Sequence, residues 1–284
     1  MKNQSSQAAL ASAAARAAHL IVDRAPHIFA DTLAVRLLGE LGDQLLAYQR
    51  DHGGHPALAG ARAQAVIRAQ VTEEHLAAAV ASGVDQYVIL GAGLDSFAYR
   101  SPLATEVHVF EVDHPATQSL KRERLSALGA TPTDRVSYVP IDFEIDPLVT
   151  SLTAGGFDLA RPALASWLGV SMYLTSDAIG TTLDELGTLA PGTQIVMDYL
   201  LPAELRDAAG QMYADMVGPT TAERGEPWLS FLTPQEVGDL LAARGFHDVR
   251  SVGQRDALPD ELWRRDDALQ PAALSMIAHA VRRP

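Results

Sequence analysis

An α/β fold with a mostly parallel sheet is predicted for this chain, with an antiparallel hairpin at one edge and a cap of helices in front. Three observations predict it. Apolar runs of strand length alternate with helical stretches from residue 86 onward; a glycine turn follows the first of those runs; and two close-coupled apolar runs end the chain. Right-handed crossovers between successive strands make such a sheet parallel, and ligands then sit outside the carboxyl ends of its central strands.

The elements follow in order. Leu10, Ala14, Ala17 and Ile21 share one helical face, and after Pro26 a second run, Leu33, Leu37, Leu41 and Leu45, repeats every fourth residue. A loop rich in glycine and histidine, 51–56, leads into a helix over 58–82. Strands are expected over 86–91, 107–112, 136–142, 163–170 and 194–200, with helices over 115–128, 145–153 and 176–189 between them. A helix over 203–217, a polar loop from Gly218 to Trp228, a helix over 234–244 and strands at 249–252 and 274–281 complete the chain. Residues 1–56 read as a helical lid and 57–284 as the ligand-binding domain, with 203–232 as an insert on its acceptor side.

The first strand, 86–91, breaks into Gly91, Ala92, Gly93, Leu94 and Asp95, and the second ends at Asp113, twenty residues past Gly93. Two glycines let the backbone approach a ligand closely, and an acid at that distance sits where ribose hydroxyls are held. Ser96 stands where a dinucleotide fingerprint wants Gly or Ala, and Asp95 puts a carboxylate where pyrophosphate needs positive potential. A phosphate-free adenosyl ligand fits better. S-adenosylmethionine, with its sulfonium and ammonium cations, meets that description, while an NAD-dependent dehydrogenase is the competing reading. The third strand ends in Asp142 and Phe143, an acid that can accept from an adenine amino group and a ring that by itself reads more readily as core.

Composition narrows the partners. With 35 acids against 22 bases the formal charge is −13, which repels phosphate backbones and argues against nucleic acid. The absence of cysteine excludes disulfides, thiolate nucleophiles and zinc–thiolate sites. The charge-free stretch 162–176 is too short for a bilayer, and the alanine-rich N-terminus after Lys2 is interrupted by Arg16, so no membrane partner and a cytoplasmic location are expected. A homodimer is compatible with the sequence. His52 and His55 flank two glycines without a third ligand, so no metal site is read there. Gly169, Val170 and Ser171 lack the second glycine of a nucleophile elbow, since Tyr173 takes its place. His114, before Pro115, reads as structural. Arg62 and Arg68 lie on the helix before the first strand and point to the same general side, where one can clamp a carboxylate.

The segments LGAGLDS (90–96), FEVDHP (110–115), Ile141 and Asp142 followed by Phe143, GVSMYLT (169–175) and GEPW (225–228) together resemble the leucine carboxyl methyltransferase family, over nearly the whole chain. The resemblance implies a Rossmann-like class I methyltransferase sheet and S-adenosyl-L-methionine as cofactor, leaving as S-adenosyl-L-homocysteine. It implies further that Arg68 binds the methionine carboxylate, Gly91 and Gly93 line the cofactor, Asp113 holds the ribose, and Asp142 with Phe143 frames the adenine. One position departs. Where many relatives carry glutamate before the glycine of the fourth-strand motif, this chain has Leu168.

Methyl transfer is an in-line displacement, so an enzyme aligns the acceptor oxygen and excludes water. A carboxylate acceptor needs no base, and no single compelling base is present. Tyr173 and Tyr199 at strand ends are the candidate catalytic residues, with Arg224 and Trp228 in the polar loop as candidates for the acceptor. The expected activity is O-methylation of a small-molecule carboxylate or hydroxyl, of the polyketide-metabolite kind. Methylation of a protein's C-terminal leucine is the alternative within the same family, and a binding protein without catalysis, suggested by Leu168, is a third.

Overall fold

A computed structural model describes residues 7–130 and 133–284. Lys2 and the first six residues of the expected lid lie outside the described residues. Seven strands form one sheet: β1 (Gln86–Leu90), β2 (His108–Asp113), β3 (Val136–Pro140), β4 (Leu164–Trp167), β5 (Gln194–Leu200), β6 (Phe246–Gly253) and β7 (Ser275–Arg282). Their order is β3-β2-β1-β4-β5-β7-β6, parallel from β3 through β5, with β7 antiparallel to both of its neighbours. The expected edge hairpin is present, with β7 inside the sheet and β6 at the rim.

The helices are α1 (Gln7–Val22), α2 (Ala34–Leu37), α3 (Gly42–His52), α4 (Pro56–Ala81), α5 (Phe97–Arg100), α6 (Pro115–Ala127), α7 (Leu148–Ala154), α8 (Ser176–Leu186), α9 (Ala208–Glu223) and α10 (Pro234–Ala242). Helices cover both faces of the sheet, which explains why β1 and β4 are buried along their full lengths and carry no polar alternation. Val88, Leu90, Phe110, Trp167 and Ile195 belong to one core, and Tyr87, Ile89, Val109, Leu164 and Val196 to the core on the other face. The alternation follows the two-residue period of a strand.

Helix starts are set by side chains that answer the free amides of the first turn. His55 and His114 accept from the backbone two residues on, each followed by proline at the first helical position. This gives His55 of the HGGH segment, and His114, capping roles. Thr233 and Glu236 form a capping box on α10.

Two expected elements differ. The run Leu33 to Leu45 is not one helix: Gly39, at φ +60°, turns the chain between α2 and a short 3-10 turn. Leu37 and Leu38 are both fully buried while Leu41 is 44% exposed, so the every-fourth pattern spans two separate helical frames. The second difference lies at 218–223, expected as loop and found as the last turns of α9, with Pro219 inside the helix. Gly218 and Pro219 suggest a break in sequence, but they sit where tertiary contacts hold the helix, Gly218 lying against the Trp228 ring.

Arg62, one of the two arginines on α4, is fully buried and away from any ligand. Its Nε and one terminal nitrogen each lie 2.9 Å from an Asp23 oxygen, and it also donates to Gln49 and to the Gly53 carbonyl. Burial pushes the Asp23 carboxyl up, but hydrogen bonds from His19 and Arg62 outweigh it and hold the group below its ordinary value. This knot joins α1, α3 and α4.

At the opposite end of α4, His75 stacks on His279 of β7 with centroids 4.0 Å apart and planes 13° apart. Burial, with His75 and Arg250 adding positive charge, pushes His279 down to about 4. An unfolded histidine titrates near ~6.5, so between those values the unfolded chain takes up a proton that the folded chain refuses, and stability falls as pH is lowered through that window. Asp23 and Asp31, both held below 3.8, withdraw their stabilisation only at lower pH. Replacing His279→Gln keeps a polar partner for Gln194, and melting temperatures from pH 7 to 4 are expected to fall less steeply than in the wild type. Parallel curves for the two proteins would remove His279 as the cause.

Candidate active site

All the carboxyl ends of β1 to β4 open into one cavity of about 500 Å³, closed on the other side by α1, α4 and the loop 225–229. Gly91 and Gly93 form its floor, Asp113, Asp142 and Phe143 stand along one side, and Leu168, Gly169 and Tyr173 along the other, with Arg68 above. Seven of the ten sequence-predicted site residues are thus brought together. Arg224 and Trp228 line a second cavity of about 170 Å³ that adjoins the first and shares Arg68, Gly169, Tyr173 and Glu226 with it.

Tyr199 does not reach either cavity. It is 1% exposed inside the core, and its hydroxyl donates to Ser251 Oγ at 2.9 Å. The neighbour, Asp198, is the β5 residue that reaches the cavity wall, through Arg68 and Gly169. Its carboxylate lies 3.0 Å from an Arg68 terminal nitrogen and accepts the Gly169 amide at 2.5 Å. The sequence signal for it was a single acid in the apolar run 194–200.

The other missed residues belong to the helices in front of the sheet. Arg68 also donates to Ser12 on α1 at 3.1 Å. Arg16 spans Asp31 at 2.8 Å, the Leu94 carbonyl at 2.8 Å and Ser12 at 3.0 Å, which fixes α1 to the glycine turn. Ser96 donates to Asp31 at 2.7 Å and accepts from Arg100 at 3.1 Å. Arg100 in turn pairs with Glu73. Burial pushes the Glu73 carboxyl up despite that pairing, and burial is outweighed by Arg16 at Asp31, which stays below its ordinary value. Glu226, 8% exposed, accepts the Ala8 amide at 2.9 Å and so joins the far end of α1 to the 225–229 loop.

Asp113 accepts from the Gly93 amide and from the His114 amide at 2.6 Å, so it shapes the glycine turn as well as facing the cavity. Burial pushes its carboxyl up. Asp95 accepts the Phe97 amide at 2.7 Å. Burial pushes the Tyr173 hydroxyl up as well, so it stays protonated at neutral pH.

Charge decides what this cavity can hold. Arg16 and Arg100 are engaged by Asp31 and Glu73, while Asp95, Asp113, Asp142, Glu144 and Glu226 line the walls. A pyrophosphate would meet carboxylates with little cationic compensation, and the helix after the glycine turn, α5, is a single turn with little dipole to offer. A ligand with an adenine, a ribose, a carboxylate and a positive centre fits: Phe143 and Asp142 at one end, Asp113 in the middle, Arg68 at the other.

The strand order, the antiparallel β7 and a phosphate-averse cavity at the carboxyl ends of the strands define a class I methyltransferase fold. Residues 9–187 match the model of the leucine carboxyl methyltransferase family. The chain belongs to that family and is a methyltransferase. A Bacillus subtilis (strain 168) protein, provisionally named an S-adenosyl-L-methionine-dependent methyltransferase, is 33% identical over 77% of this chain and 72% of its own. A Mycobacterium tuberculosis (strain H37Rv) protein with the same provisional name is 35% identical over 77% of this chain and 70% of its own. The cofactor in those names is the one expected from the sequence. A crystal structure of a provisionally assigned methyltransferase from Thermobifida fusca superposes with a TM-score of 0.63 at 20% identity, covering 100% of this chain and 97% of that one.

Gly169 carries a sharp prediction. At φ +70° its Cβ would lie 2.5 to 2.7 Å from the Arg68 guanidinium. Gly169→Ala adds backbone strain of about 1–3 kcal/mol and displaces Arg68 from Asp198. Thermal denaturation is expected to show lower stability, and calorimetry a weaker uptake of S-adenosylhomocysteine. Unaltered affinity would show that Arg68 is not a ligand contact.

Proposed function

We propose that this chain is an S-adenosylmethionine-dependent O-methyltransferase whose acceptor is a small molecule. The observation that supports it most is the junction of the two cavities, where Ser12, Arg68, Gly169, Tyr173 and Glu226 face both. Such an arrangement lets a donor and an acceptor meet at one point with water excluded.

When bound, the cofactor supplies an electrophilic methyl group on a sulfonium. The protein supplies position. Arg68 holds the carboxylate of the cofactor's amino-acid end, with Asp198 fixing the guanidinium from behind. Asp113 accepts from the ribose hydroxyls, and Asp142 with Phe143 frames the adenine. Glu226 is the acid lining the end nearest Arg68 and Tyr173, so it answers the ammonium that Leu168 leaves without a partner. Gly91 and Gly93 let the ribose approach backbone. Tyr173, protonated, orients the acceptor by donating a hydrogen bond and removes no proton.

The test is ligand uptake by the purified chain. S-adenosylhomocysteine is expected to raise the melting temperature, since a ligand bound only by the folded state stabilises it by mass action, while NADH leaves it unmoved. Arg68→Met is expected to weaken S-adenosylhomocysteine binding by about 1.5–3 kcal/mol, the range for a hydrogen bond to a charged group. Tight NADH binding with no response to S-adenosylhomocysteine would overturn the reading.

A further inference from the structure

We infer that the smaller cavity selects a single-ring aromatic carboxylic acid as the methyl acceptor. The inference rests on the methyltransferase reading above and adds the acceptor's size and charge. The cavity lies between α1, α4 and α9, outside the sheet, and encloses about 170 Å³ against about 500 Å³ for its neighbour. An engineered protein cavity of about 150 Å³ holds one benzene molecule. One ring matches the space between these helices, and a fused second ring has to extend out of its open side.

The walls favour a flat guest. Tyr213 of α9 and Trp228 are parallel within 7°, with ring centroids 6.5 Å apart, and both face the cavity. A planar molecule aligned with their common orientation can lie against both. The helices are shaped to seat these rings: a Cβ on Gly60 would lie 2.6 Å from the Tyr213 ring, so α4 admits that ring only because residue 60 has no side chain. Met172, Leu200 and Val217 complete the apolar lining.

The polar groups favour an acid that arrives ionised. Arg68 at the junction is engaged by Asp198 and the cofactor's carboxylate, and the guanidinium that faces this cavity for an acid is Arg224 at its exposed rim. Burial pushes the Tyr213 hydroxyl up to about 12, and Tyr173 is shifted in the same direction, so neither takes a proton from a phenol at neutral pH. No histidine lines the cavity among the described residues, and Glu226, with one oxygen on the Ala8 amide, is engaged by the cofactor's ammonium in the reading above. With a carboxylate, one acceptor oxygen forms a bond to the methyl carbon, the carbon–sulfur bond breaks, and its electron pair stays on sulfur. The carboxylate and sulfonium charges cancel, and no proton moves.

The experiment uses the full chain in two stages. Calorimetry with S-adenosylhomocysteine comes first. Initial rates with S-adenosylmethionine follow on benzoate and its hydroxy- and amino-substituted forms, 2-naphthoate, phenol and a peptide ending in leucine, with esters identified by mass spectrometry. The one-ring acids are expected to exceed 2-naphthoate in kcat/KM by on the order of tenfold or more. Trp228→Ala, and separately Tyr213→Leu, are expected to shrink that ratio about tenfold while S-adenosylhomocysteine binds as before. If S-adenosylhomocysteine binds but no one-ring acid is esterified, or if naphthoate, phenol or the peptide is used equally well, the acceptor assignment is wrong and the methyltransferase reading stands. If the product does not bind, both fall.

Discussion

The ion pair between Arg68 and Asp198 is the contact on which the site depends. Asp198 is 2% exposed and sits in the middle of a buried strand, where an uncompensated carboxylate is costly. Among the described residues its ion-pair partner is Arg68 of α4, and its other oxygen takes the Gly169 amide from the loop after β4. One carboxylate therefore sets the height of α4 over the sheet and the shape of the loop beneath it. Removing one partner of such a pair costs about 3–5 kcal/mol because the other stays buried and charged. The guanidinium is held by Asp198 on one terminal nitrogen and by Ser12 on the other, so the same pair that fastens α4 fixes Arg68 in the cavity wall.

The helices in front of the sheet obey the same economy of charge. Arg16 and Arg100 enter the cavity wall only with Asp31 and Glu73 opposite them, and each also satisfies neutral groups, Ser12, Ser96 and the Leu94 carbonyl. Pairing consumes the positive charge that a phosphate would need. It leaves the acidic rim and the Arg68 edge for a ligand, so the preference for a cationic, phosphate-free partner comes from how the cap is fastened as much as from the glycine turn itself.

The parts legible in the sequence are those where one residue type has one physical use. Long apolar runs mark strands buried on both faces, and the glycine turn with an acid twenty residues on marks the ligand end of β1 and β2. What the sequence concealed depends on parity and on distant contacts. Tyr199 and Asp198 are adjacent on β5, so their side chains leave the sheet on opposite faces, Tyr199 into the core and Asp198 toward Arg68. The same one-residue sensitivity separates Leu37 from Leu41. The roles of Ser12, Arg16 and Asp31 are invisible locally, since each acts on a partner far along the chain, such as Leu94 across 78 residues from Arg16. Tyr213 lay inside a helix recognised from the sequence, but its facing cavity exists only where α9 crosses α4.

The sheet and the cap contribute differently to the two cavities. The larger cavity takes most of its wall from strand ends and α4, with α1 and the 225–229 loop closing it. The smaller cavity is lined largely by α1, α4, α9 and the 225–229 loop; Glu226 joins that loop to Ala8 of α1, the Leu229 amide donates to the Met172 carbonyl at 2.7 Å, and just beyond it Leu232 donates to Leu200 of β5 at 2.9 Å. Side chains such as Tyr213 and Trp228 can change there without disturbing the ion pair beneath. The sheet therefore carries the fold shared with the family, while the size of the small cavity is set by aromatic rings on an outlying helix and loop.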